Sequence, residues 1–153
     1  MSTILREWKK SLETDLESII YELKDFIETP AIIILSGDVG VGKTTFTKVF
    51  VQQMATHKEA FSPTYSLVNE LGNLVHADFY RLNSAEEVIH LELSMYLEDK
   101  EYFLVEWGKP YLNEILAETS DDFEVYEIEF EMNEVAEGQS VATRDLKLIH
   151  LSS

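Results

Sequence analysis

No cysteine occurs among the 153 residues, which excludes disulfides, thiolate catalysis and Cys-ligated zinc and is compatible with a reducing compartment. Arginine is scarce, with only Arg6, Arg81 and Arg144. Lysine and arginine together number 12 against 29 acidic residues, a formal charge of −17. So acidic a surface repels a polyphosphate backbone and cannot supply the counterion release that drives nucleic-acid binding, so direct, tight gripping of RNA or DNA is not expected. A basic protein partner suits the same charge. Long apolar runs are also missing. None approaches the roughly 18 residues of a membrane span, and the N-terminal residues Met1 to Glu7 lack a signal-peptide pattern. The chain is therefore expected to be cytoplasmic, with no membrane role. No internal repeat or low-complexity linker divides it, so one domain over residues 1–153 is expected, long enough to bury roughly 70% of its unfolded surface.

What is present begins with Leu12, Leu16, Ile19, Ile20, Leu23 and Phe26. Their three-to-four spacing predicts a helix from about Leu12 to Ile27, capped by Ser11 or by a Thr14/Glu17 box. The apolar run Ala31-Ile32-Ile33-Ile34-Leu35 predicts a buried strand, and a helix should follow from about Gly42 to Ala55. Segments 66–71 and 74–80 flank Gly72-Asn73 and read as an antiparallel hairpin. Acidic helical sequence covers 84–97. Tyr102 to Trp107 reads as a buried strand, 110–117 as a helix, and 123–131 and 141–151 as β-rich segments with Gly138 in the turn between them. Strands alternating with helices predict an α/β fold, a three-layer P-loop domain whose central, mainly parallel sheet carries antiparallel edge strands.

Residues 37–44 read Gly-Asp-Val-Gly-Val-Gly-Lys-Thr, a complete phosphate-binding G-x-x-x-x-G-K-[ST] pattern. Gly37, Gly40 and Gly42 let the backbone curl so that successive N–H groups, including those of Asp38, Val39 and Val41, converge on phosphate oxygens. Lys43 supplies a positive charge at the β/γ-phosphates, and Thr44 a hydroxyl for Mg²⁺. Thr45 sits in the first turn of the helix, whose positive dipole end faces the anion.

Phosphoryl chemistry also needs carboxylates at the carboxyl ends of buried strands. Glu106 closes the run 102–105 and is the expected metal carboxylate. Asp78, in His76-Ala77-Asp78-Phe79-Tyr80-Arg81, is the second candidate. Lys43, Asp78 and Glu106 are thus the expected catalytic residues, with Trp107 beside them as a stacking or core residue. Ser62-Pro63-Thr64-Tyr65 occupies the place of a switch segment that would order against a γ-phosphate, although on spacing alone it reads as a plain proline turn. His57, His76, His90 and His150 show no metal-ligand spacing and are read as structural or solvated.

Together the phosphate loop, Ser62 to Glu70, His76 to Leu82 and Val105-Glu106-Trp107 resemble, in order and spacing, the bacterial TsaE family. The resemblance spans about residues 10–151. It implies a small ATPase required for threonylcarbamoyladenosine modification of tRNA, acting with TsaD and TsaB and touching tRNA only through them. On that resemblance, Lys43 and the loop amides hold ATP, Thr44 and Glu106 belong to the Mg²⁺ site and Asp78 lies near the γ-phosphate. Trp107 lies beside the nucleotide, Ser62 to Tyr65 form the switch-like loop, and the adenine pocket draws on the start of the first helix, near Thr14. Departures are Ala77 for the family's usual phenylalanine, Phe79 for its leucine, and Gly108 for the proline that commonly follows Glu-Trp.

Other classes remain open on the residues alone. A small-molecule kinase would need several arginines on a closing lid, which the chain lacks. A GTPase would need an Asn-Lys-x-Asp motif, which does not occur. A non-hydrolytic, ATP-dependent docking module is the third alternative, since no arginine finger is evident; Arg81 is the nearest candidate.

Overall fold

A computed structural model describes residues 2–38, 42–56, 67–135, 137–138 and 141–151. Along the chain run β1 (Ser2–Ser11), α1 (Leu16–Leu23), β2 (Ala31–Ser36), α2 (Lys43–Met54), β3 (Val68–Leu71), β4 (Leu74–Asp78), α3 (Ala85–His90), α4 (Ser94–Leu97), β5 (Tyr102–Glu106), α5 (Leu112–Ala117), β6 (Glu124–Met132) and β7 (Arg144–Leu151). The strands form one seven-stranded sheet in the order β1-β7-β6-β2-β5-β4-β3. Its four central strands, β6, β2, β5 and β4, are mutually parallel, whereas β3, β7 and β1 pair antiparallel. The expected α/β architecture with antiparallel edges is what is found.

β2 is central because all of Ala31 to Leu35 is buried, which suits a strand covered on both faces. Its alternation divides the core. Ile33 and Leu35 face a layer formed by α1 and α2, with Leu16, Ile20, Phe46 and Phe50. Ile32 and Ile34 face the opposite layer with Val88, Leu93 and Ile115 from α3 to α5. Each such fully buried side chain contributes about 1.5–3 kcal/mol. Among the described residues no helix is long and apolar enough to cross a membrane.

Several boundaries differ from the sequence expectation. Residues 2–11, read as no element, form the edge strand β1. Its burial alternates poorly, two register irregularities interrupt its pairing with β7, and only Trp8 and Ser11 are buried along it. The first helix is shorter than 12–27. A 3-10 turn at Glu13–Asp15 precedes it, and the cap is neither Ser11 nor a Thr14/Glu17 box, since Asp15 Oδ2 accepts the Leu12 N–H at 2.7 Å. The acidic stretch 84–97 is two short helices, because Glu92 turns into the left-handed region (φ 53°) and drops Leu93 into the core. The hairpin is the expected one, with Val68 opposite Ala77 and Leu71 opposite Leu74, though its strands start at 68 and end at 78. The 110–117 helix begins as a 3-10 turn at Lys109–Tyr111, and the last strand starts at Arg144 rather than at 141.

Candidate functional site

Parallel pairing brings the carboxyl ends of three strands to one edge. Leu35 of β2 and Asp78 of β4 both lie in register with Glu106 of β5, so the start of the phosphate loop and two carboxylates meet because their strands end level. Gly42, with φ 103°, turns the chain into α2, a conformation that costs a residue with a side chain far more than glycine. Thr44 and Lys43 then open the helix.

Glu106 is 2% exposed, and its two oxygens are used differently. Oε1 accepts from Thr44 Oγ1 at 3.2 Å, while Oε2 lies 2.8 Å from Nε2 of the fully buried His76. An ionised carboxylate only accepts, so Nε2 is the protonated nitrogen. Asp78 accepts the Tyr80 N–H at 3.0 Å. Burial holds its carboxyl above the ordinary value, Glu106 adds to the rise, and the Tyr80 hydrogen bond, His76 and Lys43 oppose it.

Lys43 is 5% exposed. Its ammonium donates to the Gly37 carbonyl and lies 3.3 Å from the centroid of the Trp107 ring. Desolvation lowers its pKa, with Glu106, Asp78 and Asp38 opposing. Trp107 itself is left-handed, φ 61°, a costly conformation for a bulky residue that swings its ring across the lysine. The Tyr80 ring packs against it at a tilt of 47°, 5.0 Å between centroids.

Gly42, Lys43, Thr44, Thr45, Asp78, Tyr80, Glu106 and Trp107 line one cavity of about 360 Å³. A larger hollow of about 660 Å³ opens on the other side of Gly37 and Asp38. It is lined by surface lysines and carboxylates such as Lys9, Lys147, Glu129 and Asp145, whose opposite charges offset one another. Of the two, the smaller cavity is the candidate site, since it joins Gly42, Lys43, Thr44 and Thr45 to the strand-end carboxylates Asp78 and Glu106.

Of the expected site residues, Lys43, Thr44, Thr45, Asp78, Glu106 and Trp107 are thus brought together, with Gly37, Asp38 and Gly42 forming the described ends of the loop. Val39, Gly40 and Val41, and the switch segment Ser62, Pro63, Thr64 and Tyr65, lie outside the described residues. Thr14 does not join them. It lines a separate hollow with Glu17, Ser18, Gln52 and Gln53, at the far end of α2, about 15 Å along the helix from Lys43.

Three neighbours escaped the sequence reading. His76 grips Glu106. Glu127, 3% exposed on β6, accepts from Ser36 Oγ at 2.6 Å and pairs with Lys109 at 2.9 Å, tying the end of β2 to the segment after Trp107; its carboxylate raises the Lys109 pKa. Arg144 packs its guanidinium against Gly42. Only His76 had a usable signal, its two-residue offset from Asp78, which puts both side chains on one face of the strand.

The family model described as threonylcarbamoyl adenosine biosynthesis protein TsaE matches residues 10–141. The chain is similar to the tRNA threonylcarbamoyladenosine biosynthesis protein TsaE of Haemophilus influenzae, 35% identical over 91 residues, covering 57% of this chain and 58% of that protein. The protein of that name from Bacillus subtilis is 30% identical over 106 residues, covering 67% of this chain and 66% of its own length. The chain thus spans about three fifths to two thirds of the length of these curated relatives. The crystal structure of Bacillus subtilis YdiB superposes with a TM-score of 0.61 over 99% of this chain and 88% of that one, at 20% identity, a likeness of fold.

Proposed function

The chain belongs to the TsaE family of tRNA threonylcarbamoyladenosine biosynthesis, and on that premise we propose that it is a Mg²⁺-dependent ATPase, acting in the cytoplasm on a complex of TsaD and TsaB. The observation that carries this reading is the convergence of Lys43, Thr44, Asp78 and Glu106 on one cavity at the carboxyl edge of the sheet. Lys43 and the loop amides hold the phosphates of ATP. Trp107, pinned over Lys43, flanks the nucleotide and limits water access on that side.

The residues fit a magnesium ion. Two hard oxygen donors, Thr44 Oγ1 and Glu106 Oε1, lie 3.2 Å apart, and no group of three or more His, Cys, Asp or Glu able to hold a metal occurs among the described residues. Magnesium is commonly held in this way, by one or two carboxylates together with substrate phosphates and waters. When bound, it neutralises charge on the β- and γ-oxygens. Glu106 is kept oriented by His76. Asp78, desolvated and in register with Glu106, orients the attacking water and takes up its proton. With tRNA reached only through the partner complex, a charge of −17 is no obstacle, and it favours a basic docking face.

The kinase reading gains no support from the arginines. Arg6 lies on β1 and pairs with Glu22 at 2.9 Å, Arg144 lies on β7 and Arg81 is exposed just after β4, so the three do not gather on one closing lid. The deciding experiment is Mg²⁺-dependent ATP hydrolysis by the chain with and without TsaD and TsaB, using Lys43→Ala as control. Hydrolysis stimulated by the pair and lost in the control is expected. Absence of both binding to the pair and stimulation by it would remove the partner-gated reading and bring a metabolite-kinase screen forward.

A further inference from the structure

Arg144 opens β7, opposite Ser11 of β1 and Met132 of β6. Two-residue alternation along the strand puts it on the same face as Leu146 and Leu148, both members of the core layer under α1 and α2. Where that layer reaches the start of α2, the apolar series gives way to a guanidinium. Met132 ends β6, which runs parallel to β2, so Arg144 stands at the same sheet edge as the phosphate loop.

Three facts make the position unusual. Arg144 is only 9% exposed. A Cβ built on Gly42 would lie 2.9 Å from its terminal nitrogen, so the guanidinium rests directly on the residue that leads into α2. Among the described residues its buried Nε has no hydrogen-bond partner and no carboxylate lies within ion-pairing distance, although the chain holds 29 acidic residues.

A permanent cation in this place is electrostatically unfavourable. It shares the neighbourhood with the positive end of a twelve-residue helix and with Lys43, and burial adds a desolvation cost. An anion offsets all three terms. The guanidinium is a planar donor that binds phosphate in bidentate fashion and stays charged when desolvated.

We propose that Arg144 is a second cationic contact for the bound nucleotide, engaging the phosphate nearest the nucleoside. The side follows from strand order. Lys43, Glu106 and Asp78 gather toward β5 and β4, whereas β7 lies two strands across β2 in the other direction, about 14 Å from β5 at the usual strand spacing. Lys43 and the carboxylates therefore serve the terminal phosphates, and Arg144 the opposite end of the phosphate chain. Arg144 lies beyond the residues 10–141 that the family model matches. The assignment rests on the nucleotide-binding reading above.

The test is binding of ADP and of ATP to the wild-type chain, Arg144→Met and Arg144→Lys, together with the melting temperature of each protein without nucleotide. Arg144→Met is expected to weaken ADP and ATP by the same factor, about ten- to a hundredfold for a lost charge-assisted contact. Its melting temperature without nucleotide should equal or exceed that of the wild type, because an uncompensated charge is gone. Arg144→Lys should recover part of the affinity. Unchanged affinity in Arg144→Met, or a loss of affinity accompanied by a large drop in melting temperature, would make Arg144 a structural residue and overturn the proposal. A loss confined to ATP would move the contact to the γ-phosphate and overturn the assignment to the nucleoside end. If the folded wild type bound neither nucleotide, the nucleotide reading itself would fall and the role of Arg144 with it.

Discussion

Replacing His76 with phenylalanine isolates the support of Glu106, the proposed metal carboxylate, from the carboxylate itself. The ring volume is kept, the residue is fully buried, and what is removed is the donor 2.8 Å from Glu106 Oε2. Glu106, 2% exposed, has no water to turn to on that side, so the loss is that of a charge-assisted hydrogen bond in a desolvated place, about 2 kcal/mol. For a domain of this length each kcal/mol shifts the melting temperature by about 2–4 °C, which predicts a fall of about 4–8 °C. Freed from His76, the carboxylate can rotate away from Thr44, and Mg²⁺-dependent turnover should fall about 10- to 100-fold, the usual scale for an outer partner of a metal ligand. The Mg²⁺ concentration giving half-maximal turnover should rise with it. His76→Gln, which retains a donor, should restore part of both. A double-mutant cycle with Glu106→Gln should show coupling of about 1 kcal/mol or more. The reasoning fails if His76→Phe melts like the wild type, or if its stability falls while the Mg²⁺ dependence stays unchanged.

Lys43→Met should abolish nucleotide binding yet melt within about 1 kcal/mol of the wild type, because among the described residues the ammonium contacts the Gly37 carbonyl and the Trp107 ring; calorimetric titration with ATP and a thermal melt check both halves. Glu22 accepts from the Trp8 indole at 3.1 Å and Arg6 at 2.9 Å, and these bonds hold its pKa below the ordinary value. A depressed folded value means the stability is present above the unfolded pKa of about 4.3 and lost as pH falls through the folded one. With both side chains 40% exposed the gain is about 0.5–1 kcal/mol, so Glu22→Gln should melt lower at pH 7 and show a flatter decline than the wild type as pH falls below about 4.3; parallel acid limbs would refute the clip. Gly108→Ala drives a Cβ to 2.6 Å from Val105 Cγ1, an overpacking of about 1–3 kcal/mol. Denaturant unfolding should show the loss and Val105→Ala should relieve it, whereas a neutral Gly108→Ala would mean that the segment after Trp107 yields freely.

The local parts of this site were legible because each is written in consecutive residues. The phosphate loop, the apolar run before it and Glu106 at the end of another apolar run carry their signals within a few positions, and parallel pairing aligns them without further instruction. The edge strand β1 was not legible. Along an edge one side of the backbone faces solvent, so its sequence needs few apolar residues, and Arg6-Glu7 and Lys9-Lys10 mask the buried Trp8. The stripe that predicted a helix over 12–27 was right in period but too long, since Leu12 is exposed and Asp15 closes the turn before the helix proper. In the acidic stretch 84–97 the helical composition was genuine, yet Leu93 and Leu97 reach the core only if the chain breaks at Glu92. Tertiary burial overrode propensity there.

What remained illegible is the pairing of groups far apart in sequence, and its effect is to give each reactive group a fixed partner. His76 and Glu106 are 30 residues apart, Ser36 and Glu127 are 91 apart, and Gly42 and Arg144 meet only because β7 returns beside β6. Each contact joins the edge of a parallel strand to a side chain from its neighbour or from the strand beyond. A phosphate loop on β2 alone would be a flexible anion site. With Glu127 holding Ser36 below the loop, His76 fixing Glu106 beside it and Trp107 covering Lys43, the loop's surroundings are set before any nucleotide arrives, which lowers the ordering cost of binding. On the proposed reading, the carboxyl edge of the sheet is therefore the functional unit of this chain. Substitutions at the four partner residues Glu127, His76, Trp107 and Arg144 should change how nucleotide is held at least as much as they change the stability of the fold.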